Sequence, residues 1–243
     1  MKKTWFGPLF VIVVAIIVLW HWHAGDKPPL LDIPNTVLGE KPSASPAEAG
    51  VRASVDGEWQ SLFNGRDLAG WRHVGGGRSF VRDGVLCLSN DSERRTGYLV
   101  STVKARNFRA RLRCQVPTGD SGFYFRARFD RHTPTEVIGP QVQLNFEPNS
   151  GLGGLFEPQG RGWLVKPSPE VNARLLQQVD WVDCDVEVVE RHILVRVNGV
   201  TTVDFTDANP DNRYQEAGFF ALQIHGGGYC DARFQLIQAQ ILN

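Results

Sequence analysis

Gly218-Phe219-Phe220-Ala221-Leu222-Gln223-Ile224-His225-Gly226 alternates, placing Phe220, Leu222 and Ile224 on one side and Gln223 and His225 on the other. Successive side chains of a β-strand point to opposite faces, so this segment seals a core with one face and offers an amide and an imidazole with the other. The same rhythm recurs at Phe108–Val116, Gly122–Phe129, Val137–Phe146, Asp183–Val189 and Ala232–Leu242. Two hairpin signals join shorter runs: Asp83-Gly84 between Phe80-Val81 and Val85–Leu88, and Asn198-Gly199 between Ile193–Val197 and Val200–Phe205. Many short strands with turn residues between them predict an all-β fold, an antiparallel β-sandwich. A single helix is expected: Ser168 caps, Pro169 fits the first turn, and Val171, Leu175 and Val179 recur at helical spacing.

Outward from this domain, residues 5–22 carry no charge and would be roughly 27 Å long as a helix, close to the hydrocarbon thickness of a bilayer. Lys2 and Lys3 precede them, which keeps the N-terminus cytoplasmic and sends the rest outward. Residues 1–24 therefore read as a transmembrane signal anchor. A cleaved signal peptide is the competing reading, although Trp22 stands where a small residue is wanted. His21 and His23 are an interfacial pair at the helix end rather than a metal site. Residues 25–56, with Pro28-Pro29 and Ser43-Ala44-Ser45-Pro46, read as a Pro/Ala/Ser-rich tether, and residues 57–243 as one domain on the extracytoplasmic side.

Lysine plus arginine and aspartate plus glutamate each number 26, so formal charge is zero. A nucleic-acid partner is not expected, because phosphate recognition leaves a basic footprint. Four cysteines, Cys87, Cys114, Cys184 and Cys230, lie singly, which argues against a zinc ribbon or a dithiol site. Cys114 and Cys184 alternate with apolar residues and read as buried free thiols. Neither Gly75-Gly76-Gly77 nor Gly226-Gly227-Gly228 has the lysine and hydroxyl residue of a phosphate loop, and no Gly-x-Ser-x-Gly elbow occurs.

Parity sorts the polar residues. Tyr124, Arg126 and Arg128 share one face of their strand, opposite Phe123, Phe125, Ala127 and Phe129; Gln141 and Gln143 oppose Val142 and Leu144. Were the three strands neighbours, their polar residues would form one patch of amides, aromatics, guanidiniums and imidazole, suited to sugar hydroxyls. Trp163, in the loop Gly160-Arg161-Gly162-Trp163, is the best candidate to stack on a sugar ring; Trp181 reads as packing and Trp71 as closing the start of the domain. The competing reading is a solvated outer face.

Leu62-Phe63-Asn64-Gly65 with Leu68 and Trp71, Ser121–Arg126, Gly153-Gly154-Leu155-Phe156, Trp181 with Asn198-Gly199, and Leu222-Gln223 with His225-Gly226 occur in an order that resembles the 3-keto-disaccharide hydrolase family, also called the 3-keto-glucoside lyase/hydratase domain. The resemblance covers nearly all of residues 57–243. It implies a concanavalin- or LamG-like jelly roll and cleavage of glycosides oxidised at C3, by C2 deprotonation, elimination and hydration. On that reading His225 is base or acid, Arg126 and Gln223 hold the keto and enolate oxygens, and Tyr124, Arg128, Gln141, Gln143 and Trp163 bind the sugar. No metal-ligand spacing is present and no cofactor is identified, though the resemblance admits a divalent metal. Where many relatives carry a glutamate, this chain has Gln141 and Gln143, leaving Glu147 and Glu157 as substitute carboxylates. A non-catalytic carbohydrate-binding module of the same fold and an envelope scaffold are the alternatives.

Overall fold

The structure is a computed structural model that describes residues 57–177, 180–210 and 213–243. The expected anchor, the tether and Val179 lie outside these residues. Among the described residues, no helix is long and apolar enough to cross a membrane.

The chain runs through β1 (Trp59–Ser61), β2 (Trp71–Gly75), β3 (Arg78–Arg82), β4 (Val85–Ser89), β5 (Gly97–Ala105) and β6 (Asn107–Thr118). It continues through β7 (Asp120–Phe129), β8 (Val137–Ile138), β9 (Gln141–Asn145), β10 (Leu155–Glu157) and β11 (Gly162–Val165). After the helix α1 (Pro169–Leu176) come β12 (Val182–Val189), β13 (His192–Val197), β14 (Val200–Thr206), β15 (Gly218–Ile224) and β16 (Asp231–Leu242). The first sheet is ordered β14-β13-β12-β6-β16-β4-β3, with β1 on β16; the second is ordered β11-β10-β9-β7-β15-β5-β2, with β8 on β7. Every pairing is antiparallel.

The expected all-β sandwich is therefore present. Both hairpin signals close as read, with Asp83 (φ 50°) and Gly84 (φ 77°), and Asn198 (φ 48°) and Gly199 (φ 76°), in the left-handed conformation that such turns need. Ser168 caps α1, its Oγ accepting from the Val171 N–H. The stretch expected as one strand from Val137 to Phe146 is broken into β8 and β9, because Pro140 has no N–H to give a ladder.

Phe220, Leu222 and Ile224 lie in the main core with Phe108, Phe123, Phe125, Val142 and Leu144. Phe220 stacks on Phe123 (5.6 Å) and meets Phe108 edge-on (4.9 Å). A smaller apolar cluster of Tyr98, Tyr124, Ala127, Val137, Phe219 and Ala221 occupies the outer face of the second sheet, where the segment from Asp130 to Ile138 folds over it. Hence β15 is buried on both faces. All four cysteines are buried and unbridged, and burial pushes the Cys114 thiol up to about 12.

Candidate functional site

The strands β9, β7 and β15 are consecutive in the second sheet, so the polar residues assigned to them by parity can meet. Tyr124 stands opposite Gln141 and Ala221, and Gly122 opposite Gln143. A hollow of about 370 Å³ opens over this part of the sheet, walled by Tyr98, Asp120, Gln141, Gln143, Gln223 and His225. Glu136 and Gln159 complete it from loops, Phe156 from β10 and Trp163 from β11, a paired strand where the sequence suggested a loop.

The amides form a relay. Gln141 Nε2 donates to Gln143 Oε1 (2.8 Å), and Gln143 Nε2 donates to both Asp120 carboxylate oxygens (2.9 and 3.0 Å). Gly122 makes room for it: a Cβ there would lie 2.5 Å from Gln141 Oε1. On the other side, Gln223 Nε2 donates to the Tyr124 hydroxyl (3.1 Å), and the Tyr98 hydroxyl donates to Glu136 (3.0 Å). Tyr98 and Tyr124 meet edge-on at 5.7 Å. Gln141 Oε1 and Gln223 Oε1 are buried acceptors without a hydrogen-bond partner among the described residues.

Asp120 is the most perturbed carboxylate in the hollow. Burial raises its pKa above the ordinary carboxylate range; the nearby His225 and the amide donors pull the other way without cancelling it. Burial also raises the Tyr98 and Tyr124 hydroxyls, with Glu136 adding to the shift in both, so both remain protonated donors at neutral pH. His225 itself is exposed just beyond β15, its carbonyl accepting from Asn90 Nδ2 (2.8 Å). Trp163 is partly exposed and packs on Phe156 (5.0 Å), with the Lys166 ammonium 5.3 Å from its ring centre.

Two of the expected site residues are elsewhere. Between its pairings with Phe219 and Ala221, β7 holds one residue more than β15, and Arg126 sits in that bulge with φ 47°. A bulge reverses the parity of everything after it, so Ala127 joins Tyr124 on the outer face while Arg126 and Arg128 are carried away from the hollow. The Arg126 guanidinium donates to the Arg106 and Tyr214 carbonyls and to Asn107 (2.6, 3.3 and 3.3 Å), where burial and the Arg106 charge push its pKa down to about 10. Arg128 donates to the Arg213 carbonyl (2.9 Å) and lies over the Tyr214 ring. Arg126 is a structural tie here and cannot hold a keto oxygen in the hollow.

The substitute carboxylates are also displaced. Glu147 is exposed beyond β9, and Glu157 is buried against Arg161 (2.7 Å). The carboxylates that do line the hollow, Asp120 and Glu136, were not singled out from sequence. Asp120 follows Gly119 and reads as part of a turn, yet it shares parity with Gly122 and Tyr124 up to the bulge. Trp71 closes the start of the domain, its indole N–H donating to the Leu62 carbonyl (2.6 Å). A divalent ion does not fit: among the described residues, no three His, Cys, Asp or Glu side chains are grouped to hold one.

The profile of a family described as the 3-keto-alpha-glucoside-1,2-lyase-like domain matches residues 58–239. The chain belongs to this family. No curated protein matches it closely enough to count as a relative. A crystal structure from Parabacteroides distasonis ATCC 8503, assigned as a glycosyl hydrolase, shares 21% identity over 76% of this chain and 94% of its own, with a TM-score of 0.54. A Bacillus subtilis protein of unknown function with a galectin-like fold shares 13% identity over 79% of this chain and 99% of its own, at 0.56. The exoplasmic/lumenal domain of VIP36, solved with Ca²⁺ and Man3GlcNAc, shares 12% over 74% of this chain and 86% of its own, at 0.53. At these identities the likeness to the three structures is one of fold, a two-sheet galectin-like jelly roll that this member of the lyase-like family shares.

Proposed function

We propose that the domain processes glycans, cleaving 3-keto-glucosides by elimination and hydration in the hollow over β9, β7 and β15. The observation that carries this reading is the half-buried Asp120 carboxylate, held by Gln143 and facing His225 in a polar hollow roofed by an aromatic side chain. Family membership supports a sugar ligand, as do the structures of the same fold, one assigned as a glycosyl hydrolase and one solved with Man3GlcNAc.

A ketone at C3 acidifies the C2 proton. Asp120 removes it, the C2–H electron pair forms the enolate, and the C1–O bond breaks with its electrons going to the aglycone oxygen. His225, as the general acid, gives a proton to that oxygen. Water then adds across the C1=C2 bond, His225 taking its proton as OH joins C1 and Asp120 returning the earlier proton to C2, so the net change is hydrolysis and both groups are restored. Gln223, whose Nε2 keeps a second N–H beyond the one given to Tyr124, is the donor at hand for the enolate oxygen; Arg126 has no part in it. The Trp163 face covers the sugar's C–H side.

Incubating the full chain with a 3-keto-disaccharide should release free 3-keto-glucose. Because the base must be ionised and burial raises its pKa, the acid limb of kcat/KM should fall above the ordinary aspartate value of about 3.9. A saturable ligand with no product would make the domain a binding module instead. Residues 1–24 are proposed to anchor the domain outside the cytoplasm; protease added to intact cells should then remove it, and full protection would reverse that orientation.

A further inference from the structure

The outer face of the first sheet, the other layer of the sandwich from the one that carries the Asp120 hollow, has a second groove of about 480 Å³. Its floor is a row across strands: Phe80 on β3 stands opposite Cys87 on β4, Cys87 stands opposite Arg233 on β16, and Trp181, just before β12, closes the far side. Arg78 and Arg82 rim it from the same face of β3 as Phe80, and Asp83 and Asp231 also line it.

On β6 of the same face the arginines are committed. Arg109, Arg111 and Arg113 of β6 each meet a carboxylate of β12, namely Glu187 (2.7 Å), Asp185 (3.3 Å) and Asp183 (3.1 Å). In the groove Arg233 is bound to Asp231. Arg78 and Arg82 differ: both are exposed, and among the described residues neither forms an ion pair, Arg82 lying over the Phe80 ring at 5.3 Å. The groove therefore combines two guanidiniums that have no carboxylate partner among the described residues, aromatic side chains and carboxylate acceptors.

We infer that this groove is a second glycan-binding surface, for a sugar chain that carries carboxylates. Each kind of group has its counterpart in such a ligand. A guanidinium takes a carboxylate bidentately, Asp83 and Asp231 accept from hydroxyls, and Phe80 and Trp181 cover the C–H faces of the rings. A neutral sugar would leave Arg78 and Arg82 without use. An acidic peptide would bring neither a row of hydroxyls to the two aspartates nor ring C–H faces to Phe80 and Trp181.

The test is titration of the full-length chain with tri-galacturonic acid, maltotriose and poly-glutamate. Tri-galacturonic acid should bind at least about tenfold tighter than either of the others, and its binding should weaken as salt rises. The double variant Arg78→Gln/Arg82→Gln should lose about tenfold or more of that affinity, while its thermal midpoint and any 3-keto-disaccharide turnover stay as in the parent. Equal binding of the two sugars, preference for poly-glutamate, or an unchanged affinity in the double variant would overturn the inference. None of these outcomes depends on Asp120 chemistry, so failure here and failure of the proposed reaction are distinguishable.

Discussion

Asp120→Asn is expected to lower kcat/KM on a 3-keto-disaccharide by about 10²–10⁴-fold, the range that a positioned general base contributes. Asparagine has nearly the same shape and keeps an oxygen to accept from Gln143, so the relay from Gln141 through Gln143 can persist while the proton acceptor is gone. Stability should not fall with activity. A carboxyl whose folded pKa is raised above its unfolded value is one whose ionised form the fold disfavours, so above that pKa the charge opposes folding. Removing it should leave the thermal midpoint at neutral pH equal to the parent's or higher. Loss of rate with an unchanged or raised midpoint assigns Asp120 to chemistry. A midpoint well below the parent's would show a structural residue, and full activity would remove Asp120 from the mechanism. The same assay on His225→Ala separates the partners: if His225 is the acid, its loss slows aglycones with poor leaving groups most, since a good leaving group needs no proton.

The strands that alternate were legible because one face meets the core and the other does not. Where that contrast vanishes, so does the signal. In β5, Tyr98, Leu99 and Val100 are all buried, because the outer face of the second sheet is itself covered, and the run reads as neither strand nor helix. The short strands β10 and β11 are defined by their pairing rather than by pattern. Among the site residues, Gln141, Gln143, Gln223, Tyr124 and His225 obeyed simple parity and do border one hollow or its wall. Arg126 and Arg128 did not, because a single extra residue in β7 reverses all that follows, and nothing in Tyr124-Phe125-Arg126-Ala127 announces a bulge. Glu136 reaches the hollow only through the fold-over of the loop before β8, held by Tyr98 and Gln159. Such a tertiary placement has no periodicity to read.

Arg161→Met is expected to be the most destabilising single change near the site. Arg161 lies between β10 and β11, with its Nε 2.7 Å from Glu157 and its two terminal nitrogens 3.0 and 2.8 Å from the oxygens of Asp207 beyond β14. Both carboxylates are only 3% exposed. Methionine fills a similar volume and leaves two buried charges without their cation, a loss of about 3–5 kcal/mol for a broken buried pair. In a domain of this size that corresponds to a midpoint lower by roughly 6–20 °C. Burial alone would raise the Asp207 carboxyl, but hydrogen bonds from Arg161 and the Asn209 N–H, with the Arg161 charge, hold it below the ordinary range. In the parent this contribution is present above the unfolded value of about 3.9 and is lost as pH falls through the depressed folded pKa. In the variant the sign reverses, since a buried carboxylate that has lost the Arg161 charge is relieved by protonation. The two melting curves should therefore lie far apart at neutral pH and approach each other as pH drops, and Arg161→Met/Glu157→Gln/Asp207→Asn should recover much of the loss. A gap that stays constant with pH would mean that Arg161 acts through packing. The β10–β11 hairpin also carries Gln159, in its turn, and Trp163, on β11, to the hollow, so the variant should raise KM for a 3-keto-disaccharide at temperatures where it is still folded.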